Sequence, residues 1–80
     1  MNLEIRYCSI WNYEPYAVSL ADSLLKTYKK KITSLTLGPS EGGCFEVKKE
    51  GQLIFSKLKE NRFPEIAEII KALAWLFFIN

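Results

Sequence analysis

Residues 3–7 alternate strictly, with Leu3, Ile5 and Tyr7 separated by Glu4 and Arg6. This two-residue period belongs to a strand with one face buried and the other in water. The pattern returns in "ITSLTL" (32–37), which is β-branched and puts Leu35 and Leu37 on one side, and in "CFEVKK" and "QLIFSK". A sheet covered by helices on both faces would carry near-continuous apolar runs instead. The alternation therefore restricts the chain to two layers, with helices on one face of a sheet and water on the other. Ile54 is the one residue that breaks the polar pattern on the wet face.

Between the strands the period lengthens. Tyr13, Ala17, Leu20, Ala21, Leu24 and Tyr28 recur at helical spacing, and Pro15 suits the first turn, where its missing N–H is no loss. "GPSEGG" reads as loop by composition. Glu50-Gly51 reads as a two-residue hairpin turn, with Gly51 supplying the positive φ. "LKENR" is a polar link, and Pro64 opens a second helix with Ile66, Ile69, Ile70 and Leu73 as its buried stripe. The order is β-α-β-β-β-α. A right-handed crossover makes the first two strands parallel, and the last two form an antiparallel hairpin. The fold class is α/β, a two-layer sandwich of a four-stranded mixed sheet with both helices on one face.

Composition narrows the chemistry. A length of 80 residues allows one domain over 1–80. A net charge of +2 leaves no field for nucleic acid. The basic run Lys29, Lys30 and Lys31 closes a helix, where cations favour the helix dipole. With no histidine, imidazole metal sites and Ser-His or Cys-His catalysis are excluded. Two thiols, Cys8 and Cys44, make neither a zinc site nor a secreted disulfide scaffold. The first residues lack the pattern of a signal peptide, and "ALAWLFFI" is too short for a membrane span. The expectation is a cytoplasmic protein with no membrane, metal or resident cofactor.

The chain resembles the Rdx family of selenoprotein W-like proteins, small proteins of thioredoxin-like fold. The resemblance is carried by Tyr7-Cys8, Leu20-Ala21 with Leu24-Leu25, and Gly42-Gly43-Cys44-Phe45-Glu46-Val47. It continues in Gly51-Gln52-Leu53-Ile54-Phe55-Ser56 and Arg62-Phe63-Pro64-Glu65, in order and without a large gap. It implies a thioredoxin-like sandwich with Cys8 between the first strand and the first helix. It also implies a thiol-redox role, with glutathione or a partner protein's thiol as the other party. The chain departs from the family at the chemistry. Trp11 stands where the family carries its second cysteine or selenocysteine, so the family's two-thiol cycle does not transfer.

Cys8 then has three readings. It is a monothiol aided by the positive end of the first helix, a relic held by packing, or half of a pair with Cys44. In a thioredoxin-like sheet the strand starting at Cys44 runs antiparallel beside the first strand. Parity then places both cysteines toward the wet side, opposite Leu3, Ile5, Tyr7, Phe45 and Val47. The bland alternative is two small buried hydrophobes. Trp11 either caps the site, presents an apolar surface to a partner, or folds onto the first helix against Pro15. Tyr7 and Tyr13 fall at packing positions. The C-terminal apolar run includes Trp75 and Phe78 and points all round its helix, which suggests a partner surface and a homodimer. Glu46 and Glu65 as an acid/base pair have nothing to bring them into one cleft. Two functions therefore stand side by side: a weakened or rewired thiol-redox protein, and a redox-dead binding module using Trp11, Trp75 and Phe78. Reactivity of Cys8 toward glutathione separates them.

Overall fold

Strand β1 (Asn2–Cys8) lies at the centre of one sheet, flanked on one side by β2 (Ser34–Ser40) and on the other by β3 (Phe45–Lys49), with β4 (Gln52–Ser56) outermost. The computed structural model describes residues 1–79, with side-chain surroundings through Ala74. β1 pairs β2 in parallel and β3 antiparallel, and β3 pairs β4 antiparallel. Helix α1 (Glu14–Tyr28) makes the crossover from β1 to β2. It packs with the C-terminal helix α3 (Ile66–Ile79) on the same face of the sheet.

The alternation in sequence becomes a division between faces. Leu3, Ile5, Tyr7, Phe45, Val47 and Phe55 join Ala17, Leu20, Ala21 and Leu24 of α1 and Ile69 and Leu73 of α3 in one buried cluster. On the other face opposite charges stand opposed, Glu4 against Lys48 and Arg6 against Glu46, an arrangement that favours this register over a one-residue slip.

Four local expectations are revised. First, β2 runs through Gly38, Pro39 and Ser40, residues that read as loop. A proline is tolerated there because β2 is an edge strand and Pro39 has no outer partner to supply. Second, Ile54 does not sit on the wet face as a misfit. Val47 pairs with Phe55 and Lys48 with Leu53, so Ile54 is the extra residue of a bulge, and it packs against the core cluster. Third, the polar link after β4 begins with a one-turn helix, α2 (Lys57–Glu60). It is closed by Asn61 in the left-handed conformation (φ 59°). One turn is too short to show a period.

Fourth, α3 starts at Ile66 rather than at Pro64, because Glu65 is its cap. The Glu65 carbonyl accepts from the N–H groups of Glu68 (3.1 Å) and Ile69 (3.3 Å), and the Glu68 carboxylate accepts from the Glu65 N–H (3.0 Å). This is the return half of a capping box. The buried stripe is correspondingly narrower than expected: Ile69 and Leu73 are buried, Ile70 is half-buried and Ile66 is exposed. Trp75 and Phe78 lie outside the residues whose side chains are described.

The hairpin turn is tighter than glycine alone requires. Glu50 (φ 51°) and Gly51 (φ 79°) are both left-handed, the geometry of a type I′ turn. Glu50 is held there by its N–H donating to the Asn2 carbonyl (2.9 Å) and by its carboxylate accepting from the Asn2 side-chain amide (3.3 Å). The backbone N–H of Asn2 also donates to this carboxylate, and these bonds keep the Glu50 carboxyl below its ordinary range.

Candidate functional site: two thiols at the end of the central strand

β1 ends on Cys8, and the register with β3 continues past its last paired residues. Tyr7 stands opposite Phe45, and the Cys8 N–H donates to the Cys44 carbonyl at 2.9 Å. Cys8 and Cys44 are therefore directly opposed on neighbouring antiparallel strands. On the other side Cys8 is paired with Ser40 of β2, and the next N–H, of Ser9, donates to the Ser40 carbonyl (3.2 Å). The end of the central strand is thus clamped between two neighbours. Opposed residues that share a hydrogen bond lie about 5.5 Å apart at Cα, and disulfides accept roughly 4.4–6.8 Å.

Both thiols are free, and both are buried, Cys8 at 0% and Cys44 at 8% exposure. Their parity sets them apart from the helix-facing residues, and neither belongs to the contiguous core cluster. The expectation that they face water is nevertheless corrected: the cysteines are enclosed at the strand end.

The turn that delivers Cys44 is built by consecutive left-handed glycines, Gly42 (φ 75°) and Gly43 (φ 73°). They are not equivalent. A Cβ added at Gly42 would meet nothing within 4 Å, whereas one at Gly43 would lie 3.2 Å from Trp11 Cζ3 and 3.4 Å from its Cε3. The indole ring therefore rests on Gly43, the residue before Cys44. Its other described ring contact is edge-on with Tyr13, at 6.3 Å between centroids. Trp11 is still 61% exposed and its neighbour Ile10 is 74% exposed. Trp11 is thus neither folded away onto the first helix nor detached from the site.

Tyr13 caps α1 without a side-chain capping bond, Glu14 begins the helix and Pro15 follows in its first turn. Tyr13 meets Phe63 edge-on (4.8 Å), and Phe63 also stacks on Tyr16 (4.1 Å) and meets Phe45 edge-on (5.4 Å). Phe63 thereby ties the start of α1 to the segment before α3 and to β3. Gly43 and Phe63 stand in the motifs that carry the family resemblance, but their roles depend on contacts across turns that no period shows. Tyr7 is buried in the core and Tyr13 is half-buried against it, as their periods indicated. Glu46 lies opposite Arg6 in the sheet, while Glu65 caps α3 on the helix layer, so the two are not brought together as an acid/base pair. Among the described residues no group of three or more histidine, cysteine, aspartate or glutamate side chains is placed to hold a metal ion. No described helix is long and apolar enough to cross a membrane.

A family model, the Rdx family, matches residues 2–74. The chain belongs to the Rdx family. It is similar to the migration and invasion enhancer 1 proteins of Bos taurus (30% identical) and Mus musculus (29% identical). Each match covers 73 residues, 91% of this chain and 62% of the relative, so the chain spans less than two thirds of their length. Among solved structures it is similar to a selenoprotein W-related protein from Vibrio cholerae, with a TM-score of 0.89 and 31% identity over 94% of each chain. A Bordetella parapertussis protein shares the fold, with a TM-score of 0.87 at 23% identity over 91% of this chain and 92% of that one. The sandwich is thus thioredoxin-like, of the selenoprotein W-related kind.

Proposed function

We propose that this Rdx protein is a dithiol redox protein in which Cys44, reaching across from the neighbouring strand, replaces the partner thiol that Trp11 displaces. The observation that carries the reading is the Cys8 N–H bond to the Cys44 carbonyl, which puts the two residues in direct opposition. One cysteine thiolate attacks a partner disulfide, forming a mixed disulfide and releasing the partner's first thiolate. The second cysteine thiolate then attacks the mixed disulfide and releases the partner's other thiolate. The protein goes from two thiols to one disulfide, and the partner disulfide gains two electrons and two protons. The reverse cycle needs a reducing thiol, either a protein dithiol or two molecules of glutathione.

In this cycle each single-cysteine variant stops at the mixed disulfide. Cys8→Ser and Cys44→Ser, incubated with oxidised glutathione, are expected to accumulate a stable glutathione adduct, while the parent resolves it. Equal adduct levels in parent and variants would contradict the two-thiol reading and leave a monothiol.

A second reading is favoured by the exposure of Ile10 and Trp11 beside the site. In it the fold serves as a binding module that presents Trp11 to a protein partner, with Trp75 and Phe78 as further candidates for that surface or for a homodimer contact. A cytoplasmic setting suits either reading, since reduced thiols persist there.

A further inference from the structure

Thiol exchange requires an incoming sulfur to reach a protein sulfur, yet Cys8 and Cys44 are almost wholly enclosed. Something at the strand end has to move first. The neighbouring elements differ in how firmly they are held. Cys8 is hydrogen-bonded toward Cys44 and paired with Ser40 in the sheet. Trp11 is seated on Gly43 and meets Tyr13 only edge-on, with most of its surface in water. An exposed side chain of this kind changes rotamer far faster than a strand end separates from its sheet. Its seat is specific all the same. Gly43 is buried, left-handed and without a side chain at the point where the indole approaches most closely. Asn12, the next residue, is itself left-handed (φ 58°), so the chain turns away directly after Trp11.

From these placements we infer that Trp11 is an access-determining residue: its indole, seated on Gly43, is the gate that admits small reagents to the Cys8–Cys44 pair and retards bulky ones. The inference rests on the pair proposed above, and it deepens that reading. The position that holds the second thiol elsewhere in the family would here govern which thiol or disulfide reaches the remaining two. Trp11 takes no part in bond making. Its effect falls on the rate of encounter and differs between reagents of different size.

The test compares alkylation of the reduced parent with that of Trp11→Ala and Trp11→Phe. Iodoacetamide serves as the small probe and 5-iodoacetamidofluorescein, which carries the same reactive group, as the bulky one, at one pH and with sites mapped by peptide mass. Trp11→Ala is expected to react at least about tenfold faster with the bulky probe and only a few-fold faster with the small one. Trp11→Phe, which covers Gly43 less completely, is expected to fall between parent and Trp11→Ala. Rates within twofold of the parent for both probes would overturn the gate, as would equal acceleration of both probes, which is the signature of general loosening. Should Trp11→Ala fail to fold by far-UV circular dichroism, Trp11→Phe decides: a bulky-probe rate unchanged from the parent overturns the gate. Intact mass after oxidation reports the disulfide independently. A bridge that forms with unchanged alkylation rates defeats the gate alone. Size-selective alkylation without a bridge defeats the pair and leaves Trp11 gating single thiols.

Discussion

Gly42 and Gly43 share a backbone conformation but not an environment, and this separates two costs that are usually confounded. Replacing either with alanine places a Cβ in the left-handed region, a penalty of about 1–2 kcal/mol. Only at Gly43 does the new Cβ also come within 3.2 Å of a ring, which has to give by a few tenths of an ångström to admit it. Gly43→Ala is therefore expected to destabilise by about 1 kcal/mol more than Gly42→Ala in urea unfolding. That excess should vanish when both substitutions are made in a Trp11→Ala background, as a double-mutant cycle requires of residues in contact. An equal cost for both glycines in the parent would mean that the indole is not seated on Gly43. At this scale the sequence was only half legible. The placement of Cys44 beside Cys8 follows from the thioredoxin-like sheet that the family resemblance implies, and strand parity adds only that the two share a face. The enclosure of Cys8 and the seating of Trp11 did not follow, because they depend on how a turn folds back.

The elements show a similar division. The strands and α1 announced themselves through sustained periods. β2 extends past its readable pattern because Gly38 and Pro39 mimic a turn, whereas an edge strand can hold them. α2 is one turn long and carries no period. α3 starts after Pro64 because its cap is Glu65, with Glu68 reaching back to it. That cap makes a pH prediction. The Arg62 guanidinium and the Glu65 N–H together lower the Glu68 carboxyl from an ordinary 4.5 to about 2. Arg62 donates from its second amino group to the other carboxylate oxygen at 2.8 Å. A carboxyl lowered on folding stabilises fully above its unfolded value, and the contribution is lost as pH falls from about 4.5 toward 2. Thermal melts across that interval should show the parent losing more stability than Glu68→Gln. Glutamine keeps the capping geometry but not the charge. The variant should also melt about 2–5 °C lower at pH 7. Parallel pH profiles for the two proteins would mean that the Arg62–Glu68 pair contributes nothing, as exposed ion pairs often do. Residual acid sensitivity in the variant is expected from Glu50, whose carboxyl shifts in the same direction.

On the scale of the whole molecule, the sequence pattern of one apolar and one polar strand face was sufficient to specify a two-layer sandwich, since only that arrangement satisfies both faces. The register then carries the chemistry. Because β3 runs antiparallel to β1, with Phe45 opposite Tyr7 and Lys49 opposite Leu3, the turn by Gly42 and Gly43 has to deliver Cys44 to the end of β1, where Cys8 lies. In the proposed reading, Cys44 delivered there is the second sulfur of the pair. The most direct test of this account is the intact mass of the parent protein after oxidised glutathione and again after dithiothreitol. The account predicts a species two hydrogens lighter, with Cys8 and Cys44 in one crosslinked peptide pair, restored on reduction. An oxidised protein carrying only glutathione adducts, or one that stays fully reduced in its folded state, would contradict it.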